Sequence, residues 1–142
     1  AARVSGVSCD IGAYEYQSAG TGEFIAWLQQ FGLPTDGSAD FTDPDGDHLN
    51  NWQEWRCLTD PTNALSVLRL LPPQRAGTNV TVAWQSVAGL TYTLERSTNV
   101  AGPLPLFAPL ATGIPGQPGT TIYTDTTASG PGPFFYRVGV QP

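Results

Sequence analysis

The chain has 142 residues, 40% of them hydrophobic and only 13% charged. That is enough for one compact domain or two small ones with a real core, and far below the usual quarter of charged residues. The net charge of −6 with no basic patch argues against nucleic-acid binding, and no apolar run approaches the roughly 18 residues of a membrane span. With 16 Gly and 13 Pro, turns and short strands are expected rather than long helices. All six basic residues are arginine, and seven of the twelve carboxylates fall between Asp36 and Asp60. The chain opens at "AARVSG" with no methionine and no visible signal peptide, so it is expected to be a processed product or a piece of something longer.

Residues 1–20 carry Val4, Val7, Ile11, Tyr14 and Tyr16 without helical spacing. They are expected to form an extended strand and linker. A strand this short needs a sheet, either its own chain's or a neighbouring subunit's. Cys9 lies here and Cys57 further on. Neither has a CxxC partner, which argues against zinc. In a secreted chain the two are expected to form a disulfide; two buried thiols are the alternative. Closing a loop of about 50 residues is worth on the order of 4 kcal/mol in the chain-entropy description.

Residues 21–63 read as helix, acidic loop, helix. Phe24, Trp27, Leu28 and Phe31 fall at i, i+3, i+4 and i+7, one apolar stripe after an N-cap at Thr21. Gly32 and Pro34 end it. Trp52, Trp55 and Leu58 predict a second, short helix.

Between them stands "DPDGDHLNNWQE". Counted over twelve positions from Asp43, carboxylates occupy positions 1, 3, 5 and 12 as Asp43, Asp45, Asp47 and Glu54. Leu49 at position 7 can offer its carbonyl, and Asn51 stands at position 9. This is the ligand spacing of an EF-hand-type calcium loop, because calcium takes six to eight hard oxygens. Four close carboxylates without a cation would repel one another; a solvated acidic turn is the bland alternative. Position 6, usually glycine in a left-handed turn, is His48. Histidine visits that region more readily than most residues, so His48 is expected to fill a backbone role. Asp36, Asp40 and Asp60 are further candidates, either completing the shell, holding a second ion or serving as turn and cap residues. One or two Ca2+ ions are expected.

Residues 64–142 change character. "LSVLRLL", "NVTVAWQ", "LTYTLERS", "PLFAPLA", "TTIYTDT" and "PFFYRVGV" are strand-like, separated by Gly/Pro-rich breaks. Val80, Val82 and Trp84 share a face, as do Tyr92 with Leu94 and Phe134 with Tyr136 and Val138. Six or seven short strands predict a small antiparallel β-sandwich. Asn79-Val80-Thr81 is a glycosylation sequon.

The stretch "LPTDGSADFTDPDGDHLNNWQEW…LTDPTNALSVLRL" resembles the calcium-binding thrombospondin type-3-like, dockerin-like repeat near the C-terminus of large secreted proteins of Planctomycetes and Verrucomicrobia-type bacteria. The resemblance covers about 40 residues and implies Asp43, Asp45, Asp47, Asn51 and Glu54 as ligands, with His48 in place of the family's usual glycine. "CDIGAYEYQ" resembles the closing strand of parallel β-helix domains in such proteins, and the C-terminal region looks like a fibronectin type III or immunoglobulin-like sandwich.

No GxSxG, P-loop or dinucleotide fingerprint occurs, and the single histidine sits in the acidic loop. Glu95 and Asp125 are the one carboxylate pair that could be imagined hydrolysing a glycoside. The expectation is a non-enzymatic, extracellular or cell-surface structural module, assembling with copies of itself through the N-terminal strand into a fibre. Packing of residues 1–17 on their own chain is the alternative for that strand, and carbohydrate binding or adhesion is the alternative for the module.

Overall fold

The computed structural model describes residues 22–101 and 106–141. The chain is mainly β, with two short helices followed by six strands in two antiparallel sheets among the described residues. Two compact units part between Val67 and Leu68, four residues beyond the boundary expected after residue 63. The residues between are tied to the first unit, where the Asp60 N–H donates to Ser66 Oγ at 3.0 Å and the Ser66 N–H to the Asn63 carbonyl at 2.7 Å.

In the first unit, α1 spans Gly22–Gln30. Its expected stripe buries Phe24 and Leu28 completely, with Trp27 packed beside them. The helix stops where Gly32 takes φ +68°, a left-handed conformation that favours glycine. Leu33 N–H then reaches the Leu28 carbonyl at 2.9 Å and Gly32 N–H the Gln29 carbonyl at 3.1 Å, closing a Schellman motif. The second helix, α2, spans Asn51–Cys57. Asn50 and Gln53 cap it reciprocally, each side chain bonding the other's backbone N–H at 2.9 Å. Asn51 and Trp52 N–H groups donate to the carbonyls of Thr42 and Asp40, at 2.9 and 3.0 Å. These bonds satisfy the donors a helix start leaves orphaned, and they pin the chain before the acidic loop onto the helix after it. Trp52 meets Phe24 edge to face and Trp55 meets it at a tilt, with centroids 4.9 and 5.3 Å away. Leu58 departs from the expected stripe. It is the left-handed C-cap of α2, at φ +52°, and is 53% exposed.

The second unit is the sandwich. Its strands are β1 (Gln74–Ala76), β2 (Asn79–Ser86), β3 (Thr91–Ser97), β4 (Ala108–Pro115), β5 (Gly119–Asp125) and β6 (Phe135–Val140). They pair as β1-β2-β5 and β4-β3-β6. The alternation in β2 holds: Val80, Val82 and Trp84 are all buried. So are Tyr92 and Leu94 in β3, and Trp84 meets Tyr92 edge to face at 5.7 Å. Each such ring or branched side chain contributes about 1.5–3 kcal/mol of burial. The third expected face is only partly realised. Val138 is buried, whereas Phe134 precedes β6 and lies under Arg75 and Arg96, each 5.5 Å from the ring centre. "LSVLRLL" forms only a bridge, Leu70 opposite Trp84, because Pro72 and Pro73 follow and interrupt the ladder, which resumes on β2 at Gln74. Gly116 is required by close approach: a Cβ there would stand 2.2 Å from the Val87 carbonyl oxygen.

Asp125 joins the two sheets. Its side chain is fully buried and accepts from Thr127 N–H and hydroxyl, from Arg96 Nη1 at 2.6 Å and from the Tyr136 hydroxyl at 2.9 Å. Burial pushes its carboxyl up, but the donors from Thr127, Arg96 and Tyr136 together outweigh this and hold it below the usual range. Stability from this group is therefore present above the unfolded value near ~3.9 and is lost as pH falls through the lower folded value. Asp125→Ala is expected to destabilise the sandwich by about 2–3 kcal/mol, less than a fully buried pair because Arg96 is partly exposed. Urea unfolding at neutral pH measures this, and Asp125→Asn should recover part of the loss.

Candidate metal centre

The short-range geometry of the acidic loop follows from its aspartates. Asp43 accepts from the Gly46 N–H at 2.7 Å and the His48 N–H at 3.0 Å. Asp45 Oδ1 accepts from Asp47 N–H at 3.3 Å, and Asp47 Oδ1 from Leu49 N–H at 2.8 Å. Each side chain thus bonds a backbone group a few residues ahead and bends the chain around a common centre. Gly46 and His48 both lie in the left-handed region, at φ +77° and +81°. His48 therefore adopts the turn that the loop requires of position 6, with its exposed imidazole outside the carboxylate cluster. Leu49 anchors the far end of the turn, its side chain 2% exposed.

Carboxylate oxygens of Asp43, Asp45 and Asp47 lie within 4.8 Å of one another, and this group could hold a metal ion. Behind them the polar atoms are buried without partners. Asp45 Oδ2, Asp47 Oδ2, Asn51 Oδ1 and both carboxylate oxygens of Glu54 accept no hydrogen bond. Asn51 is oriented by its amide, which donates to the Ala39 carbonyl at 2.7 Å and Thr42 Oγ1 at 3.3 Å. That leaves its Oδ1 as the unbonded atom. Glu54 is 0% exposed. Burial, and then the negative Asp45 and Asp47 beside it, push its pKa up to about 8. Asp47 is also raised, by burial first and by Asp45 and Asp43.

The remaining expected residues take other places. Asp36 is exposed, and its Oδ1 accepts from both the N–H and hydroxyl of Ser38, which holds its carboxyl low. Asp60 Oδ1 binds Thr62 N–H and hydroxyl in the same way. Both occupy the turn role open to them from sequence. Asp40 is buried, and its carbonyl caps α2. Cys57 is buried at the last position of α2, and Cys9 lies outside the described residues. Asn79 is exposed at the start of β2, beyond the Gly77 turn. Glu95 pairs with Arg137 at 2.6 Å and Asp125 with Arg96, so the two carboxylates serve separate ion pairs. What sequence reading missed is the support from residues 39–42, whose carbonyls hold the start of α2 and the Asn51 amide. Those contacts are made by backbone atoms and leave no mark on residue type.

Comparison with protein-family models, with curated proteins and with solved structures finds no match.

The arrangement has two measurable consequences. In chelator, Glu54 folds with a raised pKa, so its contribution to stability is complete below about 4.5 and is lost as pH rises towards about 8. Denaturant midpoints of the first unit's transition are expected to fall across that window in chelator. Second, His48→Val should destabilise by about 1–3 kcal/mol through the left-handed backbone, whereas His48→Gly should be neutral or slightly stabilising. A side-chain role would make both substitutions costly, and chemical denaturation separates the two.

Proposed function

We propose that the chain is a non-enzymatic, extracellular structural module whose helix–loop–helix unit is clamped by one Ca2+. The observation that carries this reading is Glu54: a fully buried carboxylate, beside three more, whose oxygens make no hydrogen bond of normal geometry. Isolated buried charge is very costly, and a cation among these oxygens removes the cost. The donor set is all oxygen, with neither thiolate nor imidazole turned inward, which suits calcium rather than zinc or copper. Asp43, Asp45 and Asp47, the Leu49 carbonyl, Asn51 Oδ1 and Glu54 are the assigned ligands. A second ion has less support, because Asp36 and Asp60 stand outside the cluster of Asp43, Asp45 and Asp47.

The extracellular setting is consistent with a loop of this class, since extracellular calcium modules work at ~10⁻⁴–10⁻³ M. Pairing of Cys9 with Cys57 belongs to the same proposal. Fibre assembly by strand addition would use residues 1–17, which lie outside the described residues. Carbohydrate binding is less favoured, because among the described residues no aromatic ring is exposed enough to form a platform.

Calorimetric titration of the chelator-treated chain is expected to show one calcium ion bound. At calcium a hundredfold above Kd the first unit should gain about 2.7 kcal/mol. Glu54→Gln should abolish most of that gain. Equal stability in calcium and in chelator would overturn the reading.

A further inference from the structure

Among the described residues, the two three-stranded sheets end in β1, β5, β4 and β6 as edges. Open edges invite pairing with another chain, and proteins guard them with prolines, charges, bulges or brevity. β1 has three residues and follows Pro72 and Pro73. β4 carries Pro109 and Pro115 and shifts register against β3. β6 presents the charged, exposed Arg137 at its middle. β5, "GTTIYTD", is the least guarded: Pro118 precedes it, but the seven-residue strand contains no proline and no register shift against β2, and its one charge, Asp125, is buried.

The register shows which backbone groups β5 leaves open. Leu71 N–H donates to Ala83 O, and Gln85 N–H to Arg69 O, so Ala83 and Gln85 face away from β5. Val82 and Trp84 therefore bond to β5, opposite Tyr123 and Thr121. The N–H and C=O groups of Thr120, Ile122 and Thr124 point off the edge. The side chains of the same three residues are exposed on one face, with Ile122 63% exposed.

We infer that this edge pairs with the β5 edge of a second copy of the chain, antiparallel, about a two-fold axis at Ile122. Ile122 is the central residue of Gly119–Asp125. Placed opposite the partner's Ile122, it sets Thr120 against the partner's Thr124 and Thr124 against the partner's Thr120. In that register all the outward N–H and C=O groups meet as hydrogen-bonded pairs. The exposed face then gains one Ile–Ile contact flanked by Thr–Thr pairs, both favourable cross-strand combinations. No like charges face each other. Such a closed, isologous contact yields a dimer and not a filament. One strand a side is a small interface, below about 1,200 Å², so association is reversible.

Sedimentation velocity of the full chain, from micromolar to millimolar concentration, tests this. The mass should rise from 15.1 kDa towards twice that value. Ile122→Lys places like charges opposite each other at the axis and should weaken the dimer at least about tenfold, while Ile122→Val keeps it. Thr124→Pro removes only an outward N–H; it should also abolish dimers, and it carries the test should the lysine variant fail to fold. Monomer throughout the range for the wild-type chain overturns the inference, as does undiminished dimerisation of the folded variants.

Discussion

The first unit is organised around buried negative charge. Glu54 lies on the inner face of a seven-residue helix, with no hydrogen bond of normal geometry to its carboxylate and three aspartates nearby. Nothing in hydrophobic packing calls for a carboxylate there. Yet the surrounding structure is directed at holding this group in place. The Asn50–Gln53 capping box sets where α2 begins, and the carbonyls of Asp40 and Thr42 take up its next donors. Asp43 uses both carboxylate oxygens to shape the loop, whereas Asp45 and Asp47 use one each and leave the other buried and unbonded. The same short helix carries Glu54 towards the loop and Trp52 and Trp55 against Phe24.

The sandwich solves the same problem differently. Its one buried carboxylate, Asp125, meets hydroxyl, amide and guanidinium donors within the protein and is held in the charged form. Glu54 and Asp125 have comparable burial and opposite shifts. The difference lies in what surrounds them: Asp125 is met by Thr127, Arg96 and Tyr136 donors, whereas the Glu54 oxygens make no hydrogen bond of normal geometry and stand near Asp45 and Asp47, whose effect the nearby Thr59 hydroxyl offsets only in part. A cation is the natural counterpart in the second case.

Much of the fold was legible in the residue pattern. The Phe24/Leu28 stripe and the alternation in β2 and β3 were clear, because burial on one face writes a period into the residue types. The clustering of Asp43, Asp45 and Asp47 was equally plain. The places where reading fell short have physical reasons. Leu58 looked like a stripe residue but caps its helix in a left-handed turn. "LSVLRLL" is strand-like in composition, but two prolines interrupt its pairing. Phe134 looked like a strand-face residue, but it packs beneath two arginines contributed by β1 and β3.

The sequence by itself determined the carboxylate spacing, the position of the odd histidine and the β-rich character of the second half. These are local properties, set by which residue follows which. Only the tertiary structure decided that Glu54 is wholly buried with no hydrogen bond of normal geometry to its carboxylate, that Asp36 and Asp60 turn to their own hydroxyl neighbours, and that β5 is the least guarded edge. Burial, donor supply and strand neighbours depend on residues far apart in the chain, so no local pattern encodes them.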